Sequence, residues 1–335
     1  MIAQVRAGDA WPADRAPIHS GECVEIMTGA AVPPGADTVV MVEDTAQLSD
    51  GRAEIHRSLA AGANIVPRGS EAKSGDVVLR RGARMGHAQI AAAASVGAVD
   101  LSVYKRPRVA ILSTGDEIVD ASATPGAVQI RNSNAWSLAA QVAQAGGDPV
   151  VLSIAPDEKT RLKELIREGL NSDLLLLSGG VSMGKHDLVE PVLDELGTEF
   201  FFTGARIQPG KPVVFGRVTQ NNCGKYFFGL PGNPISTMVT FDLFVRPMID
   251  SLCGVTISPL TFAQAALKHD VKTKTGLTRF LPAILSGGPE KPHVELVPWQ
   301  GSGDIFSNAR ANCYLVVLPE RSEMKAGETA TILLS

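Results

Sequence analysis

Three short stretches carry the residues from which chemistry could be assembled. Ser113-Thr114-Gly115-Asp116-Glu117 follows the apolar run VAIL. Ser178-Gly179-Gly180-Val181-Ser182-Met183-Gly184 follows LLLL, and Leu230-Pro231-Gly232-Asn233-Pro234-Ile235-Ser236 follows YFFG. Glycines let backbone approach a ligand closely, and amides left free at a helix start favour an anion. Pro234 suits a first helical position, with Asn233 as the cap before it. That helix then points its partial positive charge into the same crevice. Lys211, in IQPGKP, adds a full positive charge, and Asp157 and Asp187 bring carboxylates to the rim. Phosphate-binding backbone beside carboxylates suggests a phosphorylated ligand handled with a hard cation such as magnesium. Each feature alone has a plainer reading: a Gly-Gly pair is a turn, Asp157 caps the helix of EKTRLKEL, Pro-Gly-Asn-Pro is a rigid stop. Three shaped loops at three strand ends of one sheet are harder to dismiss together.

The elements that must position these loops alternate along residues 107–253. RVAIL, DPVVLSI, DLLLLS, KPVVFGR and KYFFG read as strands. SNAWSLAAQVAQAGG reads as an amphipathic helix with Ala135, Leu138, Ala139 and Val142 on one face. DEKTRLKELIREGL carries Leu162, Leu165, Ile166 and Leu170 at helical spacing. DLLLLS is an unbroken apolar run of the kind buried on both faces of a parallel sheet. The fold class expected is α/β, a central doubly wound, mostly parallel sheet flanked by two small β-rich domains. The expected limits are a β-rich domain over 1–66, a linking segment with a short helix over 67–105, the α/β domain over 106–253 and a β domain over 254–335. In the first of these, residues 24–26 and 38–42 read as strands about a Pro-Pro-Gly turn.

Composition removes several function classes. Lys and Arg total 31 against 35 acidic residues, a net charge of -4, so no basic surface argues for nucleic acid. Aromatics at 5% leave little for base stacking. Cys23, Cys223, Cys253 and Cys313 form no CxxC pair, and the six histidines form no HExxH. No apolar run suits a signal peptide or a membrane span, which gives a soluble, cytoplasmic expectation with no membrane partner. Residues 179–185 match G-x-x-x-x-G-K, but His186 stands where a P-loop needs Ser or Thr for magnesium. That reading is rejected. Gly301-Ser302-Gly303 begins a dinucleotide fingerprint whose third glycine is Phe306, and it carries nothing.

MTGAAVPPGADTVVMVED, RVAILSTGDEIV, IRNSNAWSL, LLLSGGVSMGKHDLV, IQPGKPVVFG and FFGLPGNPISTMVTFDLFVRP, in that order, resemble the molybdopterin molybdenumtransferase (molybdenum insertase) family. The resemblance runs from about Gly21 to Leu252, and its central block is similar to the wider molybdopterin-binding domain. It implies that molybdate is inserted into adenylylated molybdopterin, with release of AMP and formation of molybdenum cofactor. It implies Mg2+ held by the family carboxylate positions Glu117, Asp157 and Asp187, which are also the expected catalytic residues. Thr114, Gly115 and Ser178 belong with the Gly179-Gly180 turn and the Pro231, Gly232, Asn233, Pro234 turn in shaping the pterin phosphate pocket. Lys211, Ser182 and Ser236 suit the tetrahedral oxyanion. Asn132 and Asn134, in RNSN, are expected pocket residues that could equally cap the helix starting at Ala135. The partners implied are a second copy of the chain, molybdopterin adenylyltransferase and molybdoenzyme apoproteins.

The sequence departs from the family pattern in three places. The family carries an upstream helical segment and a Ser-Met-Asp-Gly-Tyr-Ala-like motif, and this sequence begins after that point, which implies a weakened homodimer. Gly69-Ser70-Glu71 replaces Gly-x-Asp, and Gln208-Pro209-Gly210-Lys211 replaces Lys-Pro-Gly-Lys, one cation fewer. Two other readings stand beside the insertase. One is a non-catalytic molybdopterin or molybdate binder. The other is a molybdopterin adenylyltransferase, although that activity leaves the two β-rich units unexplained.

Overall fold

In the N-terminal unit, Met1–Val78, β1 (Ala3–Val5) and β2 (Val24–Ile26) pair in parallel with Ala3 opposite Val24. The structure, a computed structural model, describes residues 1–181, 188–220, 223–255 and 260–334. A hairpin of β3 (Thr45–Gln47) and β4 (Ala53–Ile55) follows. Val5 and Ile18 are this unit's buried hydrophobic side chains, so its form rests on turns. Gly35 shows why: at φ +88° it lies so close to Ile18 that a Cβ would stand 2.2 Å from the Ile18 carbonyl oxygen. Residues 38–42 are not a strand. The Val39 N–H donates to Ala63 O at 3.0 Å and Asn64 Nδ2 donates to Val39 O at 2.7 Å. Those bonds go to a single turn, so no ladder forms, and a 3₁₀ turn takes over at Val42–Asp44.

The second unit, Leu79–Ser335, opens with α1 (His87–Ser95). β5 (Arg108–Ser113), the two-residue strands β6 (Ile118–Val119) and β7 (Ile130–Arg131), α2 (Ser133–Gln144) and β8 (Asp148–Val151) follow. Next come α3 (Lys159–Gly169), β9 (Leu174–Ser178), α4 (Val189–Asp194) and β10 (Thr198–Phe202). β11 (Ile207–Gln208), β12 (Val214–Gln220) and β13 (Cys223–Leu230) lead to a helix in three parts. Its parts are α5 (Pro234–Thr240), a π turn over Phe241–Val245, and α6 (Arg246–Leu252).

The central sheet runs β10-β12-β13-β9-β5-β8, with β12 antiparallel to both neighbours and the rest parallel. The doubly wound, mostly parallel expectation holds. β9 explains its own composition: Leu175 and Leu177 pack with Leu162, Leu165 and Ile166 of α3, while Leu174 and Leu176 pack with Leu138 and Val142 of α2 and Phe241. Both faces are covered, so the strand alternates nothing. All four apolar positions expected on α3 and its cap are buried.

β14 (Phe262–Leu267), β15 (Val271–Lys272), β16 (Thr278–Ser286), β17 (His293–Leu296), the one-turn α7 (Ile305–Asn308), β18 (Cys313–Val317), β19 (Glu323–Met324) and β20 (Thr329–Leu334) complete the chain. Pairings β16–β17, β17–β14, β14–β20, β20–β18 and β18–β16 close on themselves around Leu281, Val294, Leu315 and Ile332. This is the second small β domain. Its outer face meets α5 through Phe280, Tyr314 and Leu333 against Ile235 and Val239.

Candidate functional site

Three adjacent strands end at one level. Ser113 of β5 is opposite Ser178 of β9, and Ser178 is opposite Leu230 of β13. The loops that follow are therefore delivered side by side at the carboxyl edge of the sheet, where open α/β folds bind ligands. A fourth joins them, because Thr114 bridges to Ala155 beyond β8 and brings Asp157 alongside.

Between these loops lies a cleft of about 310 Å³. Thr114, Gly115, Glu117, Asp157, Gly179, Gly180, Pro231, Gly232 and Asn233 line it, all expected from the sequence. Gly179 and Gly180 have φ of +96° and +65°, and a Cβ on Gly179 would stand 2.9 Å from Thr114 O. Only glycine gives this close approach of the first and second loops.

Thr114 is 6% exposed, and its Oγ1 is buried without a hydrogen-bond partner among the described residues. A hydroxyl left in that state is costly unless something fills its bond, and it lines the cleft. Asn134 Oδ1 is in the same condition, while its Nδ2 donates to Ser178 Oγ at 2.9 Å and Gly232 O at 2.7 Å. Asn134 thus ties α2 to the second and third loops from behind the cleft. Asn132 caps α2, accepting from Ala135 N at 3.1 Å and from Ser113 Oγ at 3.0 Å. Neither asparagine lines the cleft itself; both brace it.

The carboxylates sit at the rim. Glu117 and Asp157 are exposed, and among the described residues neither forms an ion pair. Asp157 does not cap α3, whose cap position is Glu158 without a side-chain bond. Instead its N–H donates to Asp116 Oδ1 at 3.0 Å. Two unpaired carboxylates fit magnesium, which usually takes one or two carboxylates and fills its shell with water and substrate phosphate. No cluster of three potential ligands occurs among the described residues. Ser182 and Asp187, expected at this site, lie outside the described residues.

The third loop differs from expectation in two respects. Pro234 does begin α5 with Asn233 at the cap position, but the Asn233 side chain makes no cap bond. The Ile235 amide donates to Ser302 O of the C-terminal domain at 3.0 Å, and the Thr237 amide to Asn233 O. Two of the helix's initial amides are therefore already satisfied. Ser236 is 4% exposed and does not line the cleft. Lys211, expected at the site, is exposed and does not line the cleft, whereas the residue after it, Pro212, is part of the wall. The apolar side of the cleft, Leu162, Val181, Leu188, Val189 and Pro212, had no signal in the sequence beyond ordinary core patterning.

Residues 3–97 match the MoeA N-terminal region (domain I and II), residues 110–251 a probable molybdopterin-binding domain, and residues 264–335 the MoeA C-terminal region (domain IV). A molybdopterin molybdenumtransferase of Haemophilus influenzae is 33% identical over 326 residues, covering 96% of this chain and 78% of its own. The chain belongs to the molybdopterin molybdenumtransferase family. The enzyme of that name from Staphylococcus aureus strain COL is also 33% identical, over 94% of this chain and 74% of its own. The crystal structure of a molybdopterin biosynthesis MoeA protein from Pyrococcus horikoshii superposes at a TM-score of 0.70 with 31% identity, covering 99% of this chain and 80% of its own. Membership accounts for the central sheet between two β-rich parts. No helix among the described residues is long and apolar enough to cross a membrane.

Proposed function

We propose that this chain is a molybdenum insertase: it takes adenylylated molybdopterin and molybdate, and releases AMP and molybdenum cofactor. The observation that carries the reading is the cleft at the ends of β5, β9 and β13, built by glycine turns and holding an unpartnered Thr114 hydroxyl. A phosphorylated pterin would lie against the Gly179-Gly180 and Pro231-Gly232-Asn233 backbone. Thr114 Oγ1 would exchange a hydrogen bond with its phosphate, and Asn134 would hold the two loops apart at the right spacing. Lys211 would draw in the oxyanion, with Ser182 and Ser236 as expected neighbours. Ser236 reaches the ligand only if the start of α5 moves, since it is buried.

Glu117 and Asp157, with Asp187, would hold Mg2+. The ion, when bound, neutralises charge on the phosphoanhydride linkage whose cleavage frees AMP. In this reading residues 106–253 carry the ligand, with 1–66 and 254–335 as β-rich flanks and 67–105 as the link. A homodimer fits the apolar exposure of the linking segment, where Ile90, Val96, Val99 and Val103 are 58%, 56%, 85% and 68% exposed. The setting is the cytoplasm, with molybdopterin adenylyltransferase as donor and molybdoenzyme apoproteins as recipients.

The deciding experiment is AMP release from the purified protein given adenylylated molybdopterin, magnesium and molybdate, with a no-molybdate control. Molybdate-dependent release is expected. Retention of the pterin nucleotide without release would instead make the chain a binder. ATP-dependent incorporation of AMP into molybdopterin would make it an adenylyltransferase.

A further inference from the structure

The segment before Lys211 belongs to a different sheet from the strands around it. β11 pairs in parallel with β16, Ile207 opposite Thr278 and Gln208 opposite Arg279. The bond from Thr278 N to Arg206 O, 3.1 Å, extends this edge by one residue. Directly after it the chain turns back, with Ala205 N and Val213 N both donating to Lys211 O at 3.0 Å. Gly210, at φ +105°, passes so close to α5 that a Cβ would stand 2.5 Å from Thr240 Cγ2. The loop that presents Lys211 and Pro212 is therefore hung from the C-terminal β domain.

Arg279 holds the hook. It is 8% exposed, its Nε donates to Lys274 O at 2.9 Å, and its Nη1 donates to Gln208 Oε1. Among the described residues no carboxylate pairs with it. A buried guanidinium without a counter-charge is expensive to keep, and its planar fork is spent here on two neutral acceptors in fixed geometry. One acceptor is on its own turn and the other is on the strand leading to Lys211. A slip of one residue in this short pairing would turn Gln208 to the other face and displace the whole loop.

We propose that Arg279 is a positioning residue for the oxyanion site: through Gln208 it sets the register of the loop in which Lys211 directly precedes Pro212 of the cleft wall. This rests on the reading that Lys211 attracts molybdate. It also suits the neutral glutamine at 208. A second cation there would face the buried guanidinium.

The test measures KM for molybdate in AMP release by the full chain. Lys211→Ala is expected to raise KM and checks the underlying reading. Arg279→Gln is expected to raise KM about tenfold, the size of one lost contact, with kcat within about twofold, the signature of lost binding. In the Lys211→Ala background Arg279→Gln should add nothing, which a general loss of stability would not mimic. Gln208→Ala, at an exposed position, should raise KM in the same direction and serves if Arg279→Gln does not fold. Gln208→Lys should also raise it, and Gln208→Lys with Arg279→Glu should bring it back. An unchanged KM in Arg279→Gln and Gln208→Ala, with KM raised in Lys211→Ala, overturns the proposal alone. An unchanged KM in Lys211→Ala overturns it together with the reading beneath it.

Discussion

The backbone N–H of Asp157 donates to Oδ1 of Asp116 at 3.0 Å, a bond between two loops 41 residues apart. Asp116 does not itself line the cleft. It sets the start of the loop that carries Asp157, a rim carboxylate. Asp116→Ala is expected to lower AMP release by about tenfold, the equivalent of one hydrogen bond to a charged group, while melting shifts little because Asp116 is exposed. Asp116→Asn keeps the acceptor and should keep most of the activity. Rates for the two variants beside wild type check this. Equal loss in both would mean that Asp116 acts by its charge.

Thr114 combines burial with an unused hydroxyl. Thr114→Val removes a polar group that is unsatisfied in the free protein, so the melting temperature should hold or rise. Affinity for the pterin nucleotide should fall by about 10- to 100-fold, the range for a bond to a charged acceptor. Calorimetric binding and melting on the same preparation separate the two effects. A fall in stability with unchanged affinity would place the hydroxyl's partner inside the protein.

Gly179→Ala meets Thr114 O, which is backbone and cannot swing aside. The expected cost is about 2–4 kcal/mol, from positive φ and the close approach together. Gly146→Ala provides the comparison: it has φ +93° with nothing within 4 Å of the added carbon, so it carries the backbone term alone. Denaturant midpoints of the two variants measure the difference. Equal destabilisation would show that the loops yield.

Burial pushes the Asp242 carboxyl up to about 6 against the partial opposition of Arg246 and the 3.3 Å bond from Gln141. The unfolded carboxyl titrates near 3.8. Between these values the folded chain keeps a proton that the unfolded chain has lost, so stability falls as pH rises through about 4 to 6 and is level above. Asp242→Asn removes that cost. It should stabilise the protein by about 1–3 kcal/mol at pH 8 and by nothing at pH 3.5. Melting curves at the two values decide it, and an equal shift at both would assign the effect to packing.

Much of the central fold was readable from local patterns. The LLLL run of β9 and the helical spacing of Leu162, Leu165, Ile166 and Leu170 each act within a few residues and are found as read, while Asn132 takes the plainer of its two readings, the cap of α2. Residues 38–42 failed as a strand because β-branched residues create the tendency but a ladder needs a partner, and theirs is one turn at Ala63 and Asn64. Asp157 failed as a cap for a similar reason: the sequence places an acid before α3 but does not reveal Asp116 waiting for its amide. The two-residue β11 gave no periodic signal at all, being too short to alternate.

By itself, then, the sequence determined the alternation of strands and helices, the glycine-shaped turns at three strand ends, and the motifs that place the chain in its family. These depend on backbone conformation and side-chain type over a few neighbouring positions. Tertiary structure decided that β13, β9 and β5 lie adjacent and in register, that Ser302 takes the Ile235 amide, and that Gln208 joins the sheet of Arg279. Each of those outcomes joins groups distant in the chain. Such bonds form only when burial of both sheet faces has already fixed which elements are neighbours, and no local propensity records that choice.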